Sequence, residues 1–126
     1  MITFILLLAA SSLGLVAARY AAQVEPAIGE AAFKGRQLLL DNLTPKQNQQ
    51  YGHFGYFDVV GSKSGKRYRI CHGTSRNVYE LLDDNQLGTC FYFVPSGSLV
   101  AGDCLLAQKI MLENCEDEAL RIAERF

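Results

Sequence analysis

The chain has 126 residues, 12 Lys+Arg against 13 Asp+Glu, two His and four Cys. That length leaves room for one small domain, and the whole-chain balance is near neutral. The average conceals a split, because residues 1–76 carry nine Lys/Arg and four Asp/Glu while residues 77–126 carry three and nine. A basic half and an acidic half either neutralise each other within one fold or present two faces to partners.

In chain order, the first element is the uncharged run Ile2–Ala18, closed by Arg19 and Tyr20. Residues 2–22 are near the length a membrane span needs if Arg19 snorkels to the headgroups. No Lys or Arg precedes the run, whereas Arg19, Lys34 and Arg36 follow it. The expectation is therefore an uncleaved single-span anchor over 1–23 with the domain on the cytoplasmic side. The alternative is a secretory signal with Val16-x-Ala18 as a small-residue cleavage site, which would leave the domain secreted or periplasmic.

Residues 24–43 read as a helical stalk that starts at Glu25-Pro26, with Ala27, Ala31, Leu38 and Leu39 at helical spacing. Gly29 and Gly35 weaken it by up to about 1 kcal/mol each relative to Ala. Thr44-Pro45-Lys46-Gln47 restarts the chain with capping-box spacing, which predicts a short helix from Pro45 to about Tyr51 ended by Gly52.

Residues 44–126 are expected to form a small α+β domain. Tyr56–Val60 and Arg67–Cys71 read as a hairpin across a loop bounded by Gly61 and Gly65. Setting Val59 opposite Tyr68 and Phe57 opposite Ile70 gives one apolar face, and Asp58 then meets Arg69 on the other. Val78–Leu82 reads as a third strand. Cys90–Val94, stopped by Pro95, reads as a fourth strand covered on both sides. A last helix is expected from Asp103, as N-cap, to about Arg125, with Leu105, Leu106, Ile110, Met111, Cys115, Leu120 and Ile122 inward. Its acids Glu113, Glu116, Asp117 and Glu118 fall on the outward side, and a bend or break is placed at Asn114–Asp117. The whole is a four-stranded antiparallel meander sheet packed by a C-terminal helix, preceded by a short helix and an N-terminal transmembrane or signal helix.

Chemistry-bearing patterns are few. Cys71, Cys90, Cys104 and Cys115 contain no C-x-x-C pair, so neither a metal nor another cofactor is expected. They read first as core thiols and second as two disulfides of a secreted domain. Cys71 and His72 are strand neighbours and point apart, so they make neither a shared ion site nor a thiol–imidazole pair. Asp83-Asp84-Asn85 has turn composition without the length of a calcium loop. No nucleophile elbow or phosphate loop is present, so no enzyme activity and no small-molecule substrate are expected.

What remains is a basic surface, Lys63, Lys66, Arg67, Arg69 and Arg76, as the candidate binding residues. With Tyr56, Tyr68, Tyr79 and Tyr92 nearby it could serve nucleic acid or, beside a membrane, anionic lipid. No RNA-binding, helix-turn-helix or zinc-finger signature accompanies it, so the leading expectation is another protein as partner. The chain thus reads as a membrane-tethered, non-enzymatic binding or adaptor module, an accessory subunit of a larger assembly.

Several short runs carry a resemblance. They are Leu43-Thr44-Pro45 with Gln47 and Tyr51, Tyr68-Arg69-Ile70 with His72-Gly73, Asn77-Val78, and Gly102-Asp103 with Leu106-Ala107-Gln108-Lys109. From about Leu38 onward the chain resembles a family of small uncharacterised bacterial proteins sharing these patterns, about two thirds of its length. The resemblance implies no activity. Members of that family are basic where Cys71 stands, which argues against a metal or thiol role there.

Overall fold

The structure is a computed structural model that describes residues 26–93 and 100–125, with side chains from residue 29 onward. The expected anchor or signal segment, and the boundary readings at Glu25 and Pro95, lie outside the described residues. Among the described residues no helix is long and apolar enough to cross a membrane. From Lys34 onward the described residues form one compact unit.

Helix α1 spans Pro26–Asn42. The stretch read as a stalk contributes to the core at its C-terminal end, where Leu39 is fully buried and Leu43, just beyond, is buried. Gly35 serves a purpose that helix propensity does not show. A Cβ at Gly102 would collide with the Gly35 backbone, so two glycines let α1 approach the start of a later helix closely.

Helix α2 spans Pro45–Phe54 and has the expected capping box. The Gln47 amide N–H donates to Thr44 Oγ1 at 3.2 Å, and the Thr44 N–H donates to Gln47 Oε1 at 3.0 Å. The helix runs past the expected stop at Gly52, because Gly55, at φ 74°, takes the left-handed cap instead.

The sheet is an antiparallel meander of five strands, β1 (Tyr56–Val60), β2 (Arg67–Cys71), β3 (Val78–Leu81), β4 (Leu87–Tyr92) and β5 (Glu124–Arg125). The β1–β2 register is the one the alternation dictates, with Phe57 opposite Ile70, Asp58 opposite Arg69 and Val59 opposite Tyr68. Phe57, Val59, Tyr68, Ile70, Val78 and Phe91 share the inner face and are all buried. Each such side chain contributes roughly 1.5–3 kcal/mol.

Four expectations are corrected, whereas the break placed at Asn114–Asp117 is found at Cys115, which at φ −139° and ψ 50° divides the C-terminal stretch into α3 (Ala101–Asn114) and α4 (Glu116–Ile122). That break turns the chain back so that Arg125 pairs with Phe91 and Glu124 with Tyr92, adding the fifth strand. Ile110, Cys115 and Ile122, expected inward, are exposed. The N-cap of α3 is Val100, with Asp103 inside the first turn. Finally, β4 is covered on one side: of its six residues only Phe91 is buried.

Leu105, Leu106 and Leu112 of α3 and Ala119 of α4 complete the core under the inner face. Buried polar groups are matched. Asn77 and Gln108 exchange amide hydrogen bonds of 2.8 and 3.0 Å, and Asn77 Nδ2 also donates to the Cys71 carbonyl at 3.0 Å. This ties the β2–β3 turn to α3 without leaving a buried amide unpaired.

The free edge of β1 is closed by two glutamines of α2. Gln50 Oε1 accepts from the Asp58 N–H at 2.9 Å, and Gln47 Nε2 donates to the Asp58 carbonyl at 2.9 Å. Those two bonds occupy the middle of the edge and hinder strand addition there.

Candidate functional site

The β1–β2 hairpin has two chemically different ends and sides. At its tip, the loop from Gly61 to Lys66 folds around a carboxylate supplied by α4. Glu116 is 1% exposed. Its Oε1 accepts from the Lys63 N–H at 2.9 Å and the Ser64 N–H at 2.7 Å. Its Oε2 accepts from the Ser64 hydroxyl at 2.5 Å and the Tyr68 hydroxyl at 2.6 Å. The Glu116 N–H in turn donates to Ser62 Oγ at 3.1 Å. Successive backbone N–H groups forming a concavity around an anion make a nest, here filled from within.

Gly61 is required beneath it, since a Cβ there would collide with the Glu116 carboxylate. Burial pushes the Glu116 carboxyl up, but the hydrogen bonds from Ser64, Tyr68 and Lys63 outweigh burial and bring it down to about 2. For Tyr68, burial and the Glu116 carboxylate act together and raise the phenol above its ordinary value.

On the outer side of the sheet stands a different arrangement. Arg69 clasps Asp58 with Nε to Oδ1 at 2.8 Å and Nη2 to Oδ2 at 3.1 Å. Gln50 Nε2 adds a bond to Asp58 Oδ2 at 2.9 Å. Burial would raise the Asp58 carboxyl, yet the bonds from Arg69 and Gln50 leave it below the usual carboxylate range. The Arg69 guanidinium lies 4.0 Å over the centre of the Tyr56 ring, which is itself stacked on Phe54 at 5.4 Å. Across the sheet, Arg69 is opposite Tyr79 and Tyr79 is opposite Cys90. Tyr56, Cys71, Tyr79 and Cys90 therefore flank one fixed ion pair, and all of them are half-buried.

The candidate basic residues each have a contact within the fold. Lys63 pairs with Asp117 at 2.6 Å at the loop, where both side chains are exposed. Lys66 pairs with Glu80 at 3.6 Å. Arg67 donates to the Leu82 carbonyl at 3.3 Å, and Arg69 belongs to Asp58. Arg76 lies in the β2–β3 turn at φ 49°, where its carbonyl accepts from the Cys90 thiol at 3.5 Å. The basic and acidic halves of the chain thus meet inside one fold.

Cys71 and His72 do point apart. Cys71 lies on the outer face, whereas His72 Nδ1 is 2.8 Å from the Tyr51 hydroxyl. All four cysteines are free thiols, but only Cys104 is buried as a core thiol would be; Cys71 and Cys90 are half-buried and Cys115 is exposed. Burial raises the Cys71 and Cys104 thiols. Among the described residues no group of three His, Cys, Asp or Glu side chains could hold a metal ion.

Sequence reasoning missed Glu116, which was assigned to a solvated helix face. The available signal was the small-residue loop Gly61-Ser62-Lys63-Ser64-Gly65, whose crowded N–H groups require an acceptor. It also missed Gln47 and Gln50 as partners of β1. Comparison with protein-family models, with curated proteins and with solved structures finds no match to this chain.

Proposed function

We propose that the chain is a non-enzymatic protein-binding module, held at a membrane by residues 2–22, that serves as an accessory subunit of a larger assembly. The outer face of the sheet is its docking surface. The observation that supports this is the Phe54–Tyr56–Arg69–Asp58 stack beside Tyr79, half-exposed but fixed by hydrogen bonds. Tyr and Arg dominate the energetics of protein interfaces, and side chains already held in place lose little entropy on docking. An antiparallel sheet face meant only for water carries polar residues outward. This one carries Tyr56, Cys71, Tyr79 and Cys90.

Binding of nucleic acid or anionic lipid is the weaker reading, because Lys63, Lys66 and Arg69 already face carboxylates within the fold. A phosphate ligand would have to compete with those partners.

The experiment is affinity capture by the full-length chain from detergent-solubilised membranes, with Tyr79→Ala as the comparison. A defined set of proteins held by the native chain and lost by the variant, with unchanged circular dichroism, is the expected result. Equal capture by both chains sinks the docking surface. Recovery of the full-length chain in the soluble fraction without detergent sinks the membrane tether.

A further inference from the structure

Independently of the docking face, we infer that Ser64 is a phosphorylation site, and that a phosphate there opens the Glu116 clasp and frees α4 and β5 from the sheet.

Among the described residues the exposed serines are Ser62, Ser64 and Ser75. Ser64 stands at the tip of the β1–β2 hairpin, where Gly65 turns the chain at φ 72°. Lys63, Lys66 and Arg67 lie within three positions of it, whereas Ser62 has only Lys63 and Ser75 only Arg76 in that range. The Lys63 and Lys66 side chains keep 74% and 59% exposure in their ion pairs, and exposed pairs hold a side chain weakly. A protruding serine among three exposed cations fits a protein kinase whose substrate cleft is acidic, because complementary charge steers the encounter and fixes the register.

In the transfer, the Ser64 hydroxyl turns to solvent and its oxygen attacks the γ-phosphorus of a nucleoside triphosphate held by the kinase. The Oγ–P bond forms and the bond from that phosphorus to the β–γ bridging oxygen breaks. The nucleoside diphosphate leaves, and the hydroxyl proton passes to a carboxylate of the kinase.

The product cannot keep the clasp as it stands. Ser64 Oγ donates to Glu116 Oε2 at 2.5 Å, and an ester oxygen has no proton to donate. In its place comes a group of charge about −1.5 to −2 at pH 7, set against an enclosed carboxylate. The loop already holds donors for that group. They are the Lys63 and Ser64 N–H groups, which serve Glu116, the Lys66 N–H, 3.0 Å from Ser64 Oγ, and the Lys63 ammonium. Phosphate and Glu116 therefore compete for one nest, and the phosphate is covalently attached to it. Repulsion extends past Glu116, since Asp117 and Glu118 share the first turn of α4. Little else holds the segment: Ala119 in the core, Leu120 and Ala123 at its margin, and the two residues of β5 against Phe91 and Tyr92.

The test uses the folded full-length chain in mild detergent, incubated with ATP and a serine kinase selective for Lys and Arg around its target. Fragment-ion mass spectrometry should place the phosphate on Ser64. Hydrogen exchange should then be at least about ten-fold faster for amides 117–125, and within about two-fold of the unmodified chain for β1–β3. A phosphatase should restore the original rates, which separates opening from misfolding. Phosphoserine inserted during translation at position 64 should give the same pattern, and at position 75, away from the clasp, should leave amides 117–125 unchanged.

No transfer to Ser64, or faster transfer to another serine, overturns the site. A phosphate on Ser64 with unchanged exchange at 117–125 overturns the opening. Equal acceleration from phosphoserine at position 75 removes the clasp as its cause. Acceleration that extends across β1–β3 means that the whole domain unfolds, and it overturns the local release of α4 and β5.

Discussion

The tip of the hairpin and the outer face of the same hairpin both hold a carboxylate among donors, and they differ in what they leave open. At the tip, Glu116 is almost wholly inaccessible and takes bonds from two backbone N–H groups and two hydroxyls. On the face, the Asp58 and Arg69 side chains retain 23% and 17% exposure. The first is a clasp that joins α4 to the loop. The second is a satisfied pair that can still be touched. Burial with complete pairing marks a structural group, whereas partial exposure with complete pairing marks a group that a partner can reach without first undoing the fold.

The largest way to break that contrast is Glu116→Ala. Four donors lose their acceptor in a buried site, so unfolding stability measured by denaturant titration should fall by about 3–5 kcal/mol. A loss under about 1 kcal/mol would mean that the clasp is dispensable.

Acid should act on the same group. Its carboxyl falls from the ordinary 4.5 to about 2 on folding, so the stabilisation is fully present above about pH 4.5. It is lost as pH drops through about 2, because the unfolded chain takes up the proton first. On the order of 3 kcal/mol should disappear across that window, and Glu116→Gln should flatten the profile there.

Removing one clasp donor should cost less. Tyr68→Phe takes away a single hydroxyl and keeps the ring in the core, and the expected loss is about 1–2 kcal/mol. The smallest effect belongs to the face. Tyr79→Ala, outside the core, should change stability by about 0.5–1 kcal/mol while removing docking. A loss of several kcal/mol there would make Tyr79 a structural residue and erase the contrast.

Much of the architecture was legible because the local codes agree with each other. Thr44, Pro45 and Gln47 fix a helix start through reciprocal bonds within four residues. The alternation in Phe57–Val59 and Tyr68–Ile70 leaves one register that buries every apolar side chain. In the C-terminal third the break within Asn114–Asp117 was legible, but what it accomplishes was not. Ala119 is buried only if the chain turns there, and the same turn delivers Glu116 to the loop.

The candidate site was legible in part. The Asp58–Arg69 pairing follows from register, and so does the outward placement of Tyr79. That Lys63 and Lys66 have acidic partners does not, because Asp117 and Glu80 are 54 and 14 residues away in sequence.

By itself the sequence determined the α+β class, the first helix starts, the hairpin register and which face of that hairpin is apolar. These depend on contacts between near neighbours and on the period of side-chain direction, both written in consecutive residues. Only the tertiary structure decided the fifth strand, the Gly35–Gly102 approach, the closing of the β1 edge and the fate of Glu116. Each of these joins residues from distant parts of the chain, and whether a charged or small side chain is exposed or enclosed there depends on what arrives from the other side.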